Sequence, residues 1–233
     1  MSPSLEHSKI SFTAKLVAYF RQFSDIPFAK EVAQYIGADQ TFESLFPEQG
    51  VRRDELMEYA PILEARYKSI VSLISQSGIR QVIELASGFS LRGLAMTRDP
   101  SITYIDTDLE SLNTEKARFI SELRLQYSIE NLGNYHIATA NALDLAELKA
   151  AIRPFRRDQP IVIVNEGLII YFSPTERVTL AKNIRSLLQE FGGVWDYTRL
   201  FIENRHEGQH RRTEALSRGR DRLDGSSLHE RGV

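Results

Sequence analysis

The sequence predicts an α/β protein built around a mainly parallel sheet, and three observations carry this prediction. From residue 80 onward, short apolar segments alternate with segments of helical periodicity. One short segment, residues 160–164, is nearly all apolar, as a central strand buried on both faces should be. Glycines and helix-start residues separate the segments. Because parallel strands require right-handed crossovers, the pattern predicts a Rossmann-like, doubly wound sheet with helices on both faces.

The individual elements follow in chain order. Strands are predicted at residues 81–85, 102–105, 135–138, 160–164 and 194–202. Helices are predicted between them at residues 91–96, 109–127, 145–152 and 173–190, the last starting with Ser173 as cap and Pro174 in its first turn. Apolar spacing also predicts an N-terminal helical cap, with a first amphipathic segment, a short helix over 28–36 and a longer helix over 51–77. The expected organisation is a cap (1–77), a core (78–202) and a polar, Arg-rich tail (203–233).

Apolar residues at helical spacing are expected to face the core, among them Phe23 in the first segment and Tyr127 in the helix over 109–127. The 233 residues suit one domain with an appendage, and 42% hydrophobic residues suffice for a sizeable core. A formal net charge of −2 gives no sign of a nucleic-acid surface. The chain has no cysteine, no signal-peptide core and no apolar run of membrane-spanning length, so we expect a cytoplasmic protein that contacts no membrane.

The stretch from Gln81 to Asp108 predicts a nucleotide-type site. A strand ends in the small residues Ala86, Ser87 and Gly88, and a second strand ends in the acids Asp106 and Asp108. Small residues let a ligand approach the turn, and an acid about twenty residues later suits a ribose diol. The three-glycine spacing of a dinucleotide site and the Gly-Lys-Ser/Thr of a P-loop are both missing, which disfavours an NAD-dependent oxidoreductase.

Four predicted strands end in small or polar groups that belong at one edge of the sheet. Ser87 and Gly88 follow the first strand, Asp106 and Asp108 end the second, Asn141 follows the third, and Asn165 and Glu166 end the fourth. Ligands of open α/β sheets bind outside the carboxyl ends of the strands. The sequence therefore predicts one crevice at this edge.

Three segments resemble the leucine carboxyl methyltransferase superfamily, which also holds O-methyltransferases associated with polyketide synthesis. Residues 165–172 (Asn-Glu-Gly-Leu-Ile-Ile-Tyr-Phe) are similar to that family's Glu-Gly-Leu-x-x-Tyr-Leu segment. Residues 105–109 with Lys116 are similar to its Glu-Val-Asp-Leu-Pro followed by Lys, although the Pro is missing. Residues 84–90 are similar to its Gly-Ala-Gly-Leu-Asp turn, with Ala86 in place of the first glycine and Ser90 in place of the acid.

The resemblance implies a class I methyltransferase whose cofactor is S-adenosylmethionine (SAM). By position it implies that Ala86 and Gly88, with Ser87 between them, border the methionine part of SAM. Asp108 would hold the ribose, with Asp106 as the rival. The implied roles of the remaining residues are Asn141 and Ala142 beside the adenine, Glu166 at the SAM amino group, Arg66 at its carboxylate and Lys30 near the pocket.

The expected function is methyl transfer from SAM to a carboxylate or hydroxyl oxygen of a small molecule. A carboxylate is already ionised at neutral pH, whereas a hydroxyl acceptor needs a general base. His136 is a candidate base and Tyr171 a candidate acceptor contact, but a structural role is favoured for each, so no catalytic residue is assigned. The sequence identifies neither the acceptor nor the oligomeric state.

The segment after residue 202 does not follow the expected pattern. It is Arg-rich, and no alternating apolar run predicts a sixth or seventh strand. A methyltransferase-fold binding protein without turnover is therefore an alternative. The tail also contains His206-Glu207-Gly208-Gln209-His210, which matches the H-E-x-x-H motif of zinc hydrolases. Its polar, glycine-containing surroundings make that alternative an unfavoured one, and no metal is expected.

Overall fold

The fold is described from a computed structural model, which describes residues 14–45, 57–130 and 133–198. All described residues belong to one compact unit of the chain. The H-E-x-x-H segment and any sixth and seventh strands lie outside the described residues, so the expectations about them stay predictions.

Five parallel strands form one sheet in the order β3-β2-β1-β4-β5. Their bounds are β1 Gln81–Leu85, β2 Thr103–Asp108, β3 Tyr135–Thr139, β4 Ile161–Glu166 and β5 Gly193–Thr198. The chain runs outward from β1 to β3 and then returns to place β4 on the other side of β1. This is the doubly wound, Rossmann-like α/β arrangement that the sequence predicts, and the fold class is confirmed.

The helices lie close to their predicted positions. A first helix, α1, is described over 14–21. The others are α2 Ala29–Tyr35, α3 Ala38–Leu45, α4 Tyr59–Ser77, α5 Arg92–Met96, α6 Glu110–Tyr127, α7 Leu145–Ala151 and α8 Pro174–Phe191, with a 3-10 turn at Ile169–Tyr171. The start of α8 is as predicted: Ser173 and Glu176 exchange capping hydrogen bonds, and Pro174 fills the first turn.

One face of the sheet is apolar. Alternate residues of the strands point to it, and they pack against α7 and α8. The strand side chains in this cluster are Ile83, Leu85, Ile105, Ile161 and Ile163, and the helix side chains include Leu148, Leu180, Ile184 and Leu187. All nine are almost completely buried, so this face is a close-packed hydrophobic core.

The opposite face carries charge in its centre. Register pairs Glu84 of β1 with Asp106 of β2, so the two side chains point to the same face, and Glu166 of β4 shares it. Helix α5 covers this face at close range. A Cβ on Gly93 would lie 2.6 Å from ring atoms of both Tyr104 and Tyr135, so only glycine lets α5 approach so closely.

Several sequence-based expectations are wrong in detail. Phe23 and Tyr127 are 48% and 47% exposed, not buried, and the Tyr127 hydroxyl donates a hydrogen bond to Glu31. Helix α3 lies within the N-terminal region that is predicted to be helical, but it was not predicted as a separate helix; it follows Gly37, at which the preceding helix was expected to end. Among the described residues, every helix is too short or too polar to cross a membrane.

Candidate cofactor site

The candidate site lies at the carboxyl edge of the sheet, where β1 and β4 are neighbours. Their following segments, 86–91 and 167–173, leave this edge in different directions because the winding reverses between them. Gly88 and Gly167 both have positive φ, 54° and 73°, and no heavy atom lies within 4 Å of a Cβ built on either. The two turns therefore border open space.

Two backbone N–H groups of the turn after β1 donate hydrogen bonds to residues of β2. The Ser87 N–H donates to the Thr107 carbonyl at 3.0 Å, and the Gly88 N–H donates to Asp108 Oδ2 at 2.8 Å. Ala86 adopts a left-handed backbone with φ 51°, a conformation that costs an L-residue about 1–2 kcal/mol. A strained alanine thus stands where the turn requires a glycine-like geometry.

Asp108 is held at the rim of this space. Its second oxygen accepts from the Leu109 N–H at 2.8 Å, and the side chain is nearly buried. Burial raises the pKa of Asp108, and the two backbone donors partly oppose that rise. Each carboxylate oxygen accepts one such bond and keeps a lone pair, so Asp108 remains able to accept hydrogen bonds from a diol.

Asp106 occupies a different environment from Asp108. Its Oδ2 lies 2.5 Å from the Lys116 ammonium, and it accepts from the Tyr135 hydroxyl at 2.5 Å. Asp106 and Lys116 are both fully buried. Lys116 also donates to Ser87 Oγ at 3.0 Å, so this ion pair supports the turn after β1. Asp106 is thus engaged in a buried ion pair, whereas Asp108 lies at the rim of the open space.

Asn141 and Ala142, which the resemblance places beside the adenine, follow β3 and differ in exposure. Asn141 is exposed, and its side chain accepts from the Leu143 N–H at 2.9 Å. Ala142 is buried in the apolar cluster, and its carbonyl accepts from Asn183 at 3.1 Å. Of the two residues, Asn141 is therefore the one exposed at this edge.

Glu166 receives three guanidinium groups at the end of β4. Arg21 of α1 contacts its Oε1, Arg66 of α4 donates to the same oxygen at 2.6 Å, and Arg92 of α5 donates to Oε2 at 2.5 Å. Burial opposes ionisation of this carboxyl, but the three guanidiniums outweigh it and hold the pKa of Glu166 far below its ordinary value. Glu166 and Arg66, predicted as separate ligand contacts, are thus paired with each other.

A second acid extends this cluster across the sheet. Glu84 accepts from Arg92 at 2.5 Å and from the Tyr104 hydroxyl at 2.6 Å. Burial raises the pKa of Glu84, Arg92 opposes that rise, and the nearby Asp106 adds to it. No role was predicted for Arg21, Glu84 or Arg92 from the sequence. The available signal was Glu84 itself, an acid between the apolar residues Ile83 and Leu85 of a predicted buried strand.

The remaining predicted residues lie outside this cluster. Lys30 is exposed. His136 pairs in register with Ile105, which puts it on the apolar face, and burial lowers its pKa. Tyr171 is 37% exposed in the 3-10 turn that follows Gly167. Among the described residues, no three His, Cys, Asp or Glu side chains are grouped as a metal site would require.

A surface cavity of about 490 Å³ lies elsewhere, between α4, α5 and the turn over 25–27. Its lining includes Ile26, Tyr67, Val71 and Met96, and none of the strand-end residues described above. The candidate site is therefore defined by the donor set at the sheet edge rather than by this cavity.

The hydrogen-bonding groups at this edge fit a nucleoside that carries a zwitterionic side chain. Asp108 offers acceptors for a diol, and Gly88 and Gly167 border open space. Arg66 Nη1 is a buried donor without a hydrogen-bond partner, and Glu166 is an ionised acceptor in contact with Arg66. SAM presents a ribose diol, a carboxylate and an ammonium group, so the residues present suit it.

Comparison with known proteins supports the same direction. A family model described as leucine carboxyl methyltransferase matches residues 24–185. No curated protein sequence matches the chain.

Solved structures also match. They include an O-methyltransferase family protein from Burkholderia thailandensis, with 14% identity, 95% of this chain and 69% of that chain covered, and a TM-score of 0.44. A glycopeptide N-methyltransferase complexed with sinefungin has 14% identity, covers 61% and 53%, and has a TM-score of 0.42. The methyltransferase domain of a bacterial Hen1 has 15% identity, covers 70% and 86%, and has a TM-score of 0.44.

The low TM-scores mean that these likenesses support no argument about activity. The chain also spans only 43–53% of the length of the first four solved structures that it matches.

Proposed function

Because this chain belongs to the leucine carboxyl methyltransferase family, we propose that it transfers a methyl group from SAM to an oxygen atom of a small acceptor. The family model confirms the sequence-based assignment of the family. The SAM-dependent methyl transfer, the oxygen acceptor, its size and the roles of individual residues belong to the proposal.

The observation that carries the proposal is the position of Asp108 beside Gly88. The carboxylate and the Gly88 backbone are joined at 2.8 Å, at the rim of open space and at the switch point of the sheet. In our proposal Asp108 binds the ribose hydroxyls, and the turn over 86–88 lies against the methionine part. Asn141 is assigned to the adenine side with Ala142 as packing behind it, and Asp106 acts through Lys116 and Ser87 as support.

SAM supplies a methyl carbon made electrophilic by its sulfonium. The chain then has to bind SAM and the acceptor, hold them in line and exclude water. Proximity and alignment of the reactants account for much of such a rate enhancement. Glu166 is engaged by arginines and Asp108 by backbone N–H groups, so neither of these two carboxylates suits the role of a general base. We therefore prefer a carboxylate acceptor over a hydroxyl, since it needs no proton removed at neutral pH.

Calorimetric titration with S-adenosylhomocysteine tests the cofactor site. We expect one-site binding by the wild-type chain and a loss of roughly 10-fold or more in affinity for Asp108→Ala, the range expected for hydrogen bonds to a charged group. The matched control is Asp99→Ala, since Asp99 is an exposed acid away from the candidate site whose side-chain partners are Arg80 at 3.4 Å and the N–H and hydroxyl of Ser101. Absence of binding by a folded wild-type chain would contradict the proposal.

Transfer of labelled methyl groups tests the acceptor class. The chain is incubated with methyl-labelled SAM and a panel of small carboxylic acids and the corresponding alcohols. A methyl ester releases volatile methanol in mild base, whereas a methyl ether does not. Base-stable product alone would replace the carboxylate proposal with a hydroxyl acceptor.

A further inference from the structure

The surface cavity between α4, α5 and the turn over 25–27 lies apart from the candidate cofactor site. Its volume of about 490 Å³ falls within the range of small-molecule sites. The residues of α5 that line it are Ala95 and Met96, at the end of that helix. A crossover helix between parallel strands runs back from their carboxyl edge. This end of α5 is therefore the one farther from Gly88 and Asp108.

Most of the cavity wall is apolar. Ile26 and Tyr67 form a small hydrophobic cluster with Ala29, and Val71 packs against it. Met96 also lines the cavity. Ile26 and Tyr67 are nearly buried, whereas Val71 and Met96 are only partly buried. A ligand with an apolar surface would remove the exposed part of this wall from water, which favours its binding.

The two charged residues of the lining pair with each other. Lys68 Nζ lies 2.7 Å from Asp25 Oδ1 and 2.6 Å from Glu64 Oε1. A charged ligand would have to compete with these partners, since a charge placed against apolar side chains without a partner is costly. The Ser72 hydroxyl accepts from Gln76 at 2.7 Å and can donate to a ligand. The lining therefore favours an uncharged, mainly apolar molecule.

The turn that forms one wall is held in a fixed shape. The Ala29 N–H donates to the Ile26 carbonyl at 3.1 Å. Phe28, directly after the turn, has a left-handed backbone with φ 63°, which an L-residue keeps only where its surroundings impose it. Its ring contacts the Tyr127 ring and the Arg98 guanidinium. This wall is therefore formed before a ligand arrives, which lowers the entropic cost of binding.

We propose that this cavity is a second ligand-binding site, which takes an uncharged, mainly apolar small molecule and is distinct from the cofactor site. Tyr67 stands between the two sites. Its ring lines the cavity, and the guanidiniums of Arg92 and Arg21 lie 4.8 and 5.5 Å from the ring centroid. Neither arginine lines the cavity. Occupation of this second site requires neither SAM nor methyl transfer.

Binding is tested with indole as the probe, because indole is uncharged and mainly apolar. The chain has three methionines, Met1, Met57 and Met96, so NMR of methionine labelled in the methyl group gives a simple spectrum. The variant Met96→Leu identifies the Met96 signal. We expect indole to shift this signal in a saturable way and to leave that of Met57 in place, since Met57 does not line the cavity.

Two charged analogues of indole test the class of ligand. Tryptamine carries a positive charge and indole-3-acetate a negative one. Each should bind roughly 5-fold or more weakly than indole, because the charged lining residues Asp25 and Lys68 are already paired. A charged analogue that binds as tightly as indole would overturn the proposed ligand class.

A substitution that fills the cavity tests its position. Val71→Phe should weaken indole binding roughly 10-fold or more, since even one added methylene matters in a hydrophobic pocket. The matched control is Leu73→Phe on the same helix, because Leu73 is 52% exposed and does not line the cavity. If Val71→Phe does not fold, Ser72→Phe tests the same point from an exposed position of the lining.

Three results would overturn the second site. The first is an unshifted Met96 signal in the folded wild-type chain at the highest soluble indole concentration. The second is equal indole affinity in the cavity-filling variant and in Leu73→Phe. The third is a loss of indole binding in Asp108→Ala, which would assign the probe to the cofactor site, whereas we expect that variant to bind indole as the wild type does.

Discussion

The two faces of the sheet are built from the same five strands but are held by different forces. Ile83 and Glu84 are adjacent in β1 and equally buried, yet Ile83 packs into the apolar cluster and Glu84 into a network of ion pairs. On the first face, each buried Leu or Ile contributes about 1.5–3 kcal/mol through removal of apolar area from water. On the second, the cost of removing charges from water is offset only by their partners.

This difference predicts which substitutions the two faces tolerate without a large loss of stability. An apolar core tolerates changes of shape at a graded cost, because its interactions are many and weak. A buried ion-pair network loses several interactions when one member is removed, and it leaves an uncompensated charge behind. The charged face is also the one that carries the candidate site, so a change there is expected to affect stability and ligand binding together.

The largest expected effect is at Glu166. Glu166→Gln keeps the shape of the side chain but leaves three buried guanidiniums without their shared counter-charge. We expect a loss of about 3–5 kcal/mol in the free energy of unfolding, measured by urea denaturation. A comparable loss, about 2–5 kcal/mol, is expected for the much larger truncation Leu148→Ala on the apolar face.

The control for this variant is Glu122→Gln, at an exposed i,i+4 pair with Arg118. It should change stability by less than about 1 kcal/mol, as surface pairs do. If Glu166→Gln lowered the free energy of unfolding by less than about 1 kcal/mol, the buried ion pairs of the charged face would stabilise no more than a surface pair does.

Acid titration sharpens the same comparison. The pKa of Glu166 is lowered in the folded state, so its contribution is complete above the ordinary value near 4.5 and is lost as the pH falls through the folded pKa. The stability difference between wild type and Glu166→Gln should therefore stay constant from pH 7 to about 4.5 and shrink only below it. Urea denaturation at a series of pH values measures this difference. A gap that closes between pH 7 and 5 would assign the pH dependence to another group.

The next effect is expected at Lys116. Lys116→Met removes the counter-charge of Asp106 while the Tyr135 hydroxyl remains as one donor, so we expect a loss of about 3 kcal/mol in unfolding free energy. The double variant Lys116→Met/Asp106→Asn carries an uncharged amide at position 106, so no buried charge is left without a partner. It should therefore be less destabilised than the single variant Lys116→Met. Thermal and urea denaturation of the two variants provide the comparison, and additive losses would argue against the pairing.

The apolar face and the doubly wound fold class follow from local patterns in the sequence. Alternating strand and helix segments predict the winding, and Ser173, Pro174 and Glu176 predict the start of α8, because caps and periodicity act over a few residues. Asp108 was also placed correctly at a strand end, since it closes an apolar strand.

The partners on the charged face could not be predicted in the same way. Glu166 is 145, 100 and 74 residues away from Arg21, Arg66 and Arg92, and no local pattern encodes a contact across such separations. Arg66 and Glu166 were predicted from the sequence as contacts of two separate ligand groups. An acid that is buried in a strand needs a cationic partner. The sequence does not indicate which cation of another element will be that partner.

The smallest effects are expected in the turn after β1, which touches both faces. Gly88 and Ala86 have nearly equal positive φ values, 54° and 51°, but Gly88 donates to Asp108 while Ala86 packs against the apolar cluster. Gly88→Ala meets no atom within 4 Å and so should cost only the backbone strain of about 1 kcal/mol. Ala86→Gly relieves the same strain but frees the unfolded chain and removes a packed methyl group, so its net effect should lie within about 1 kcal/mol of zero. Urea denaturation of both variants checks this: a loss above that limit for Ala86→Gly would show that packing on the apolar face, rather than backbone strain, decides which residue this turn accepts.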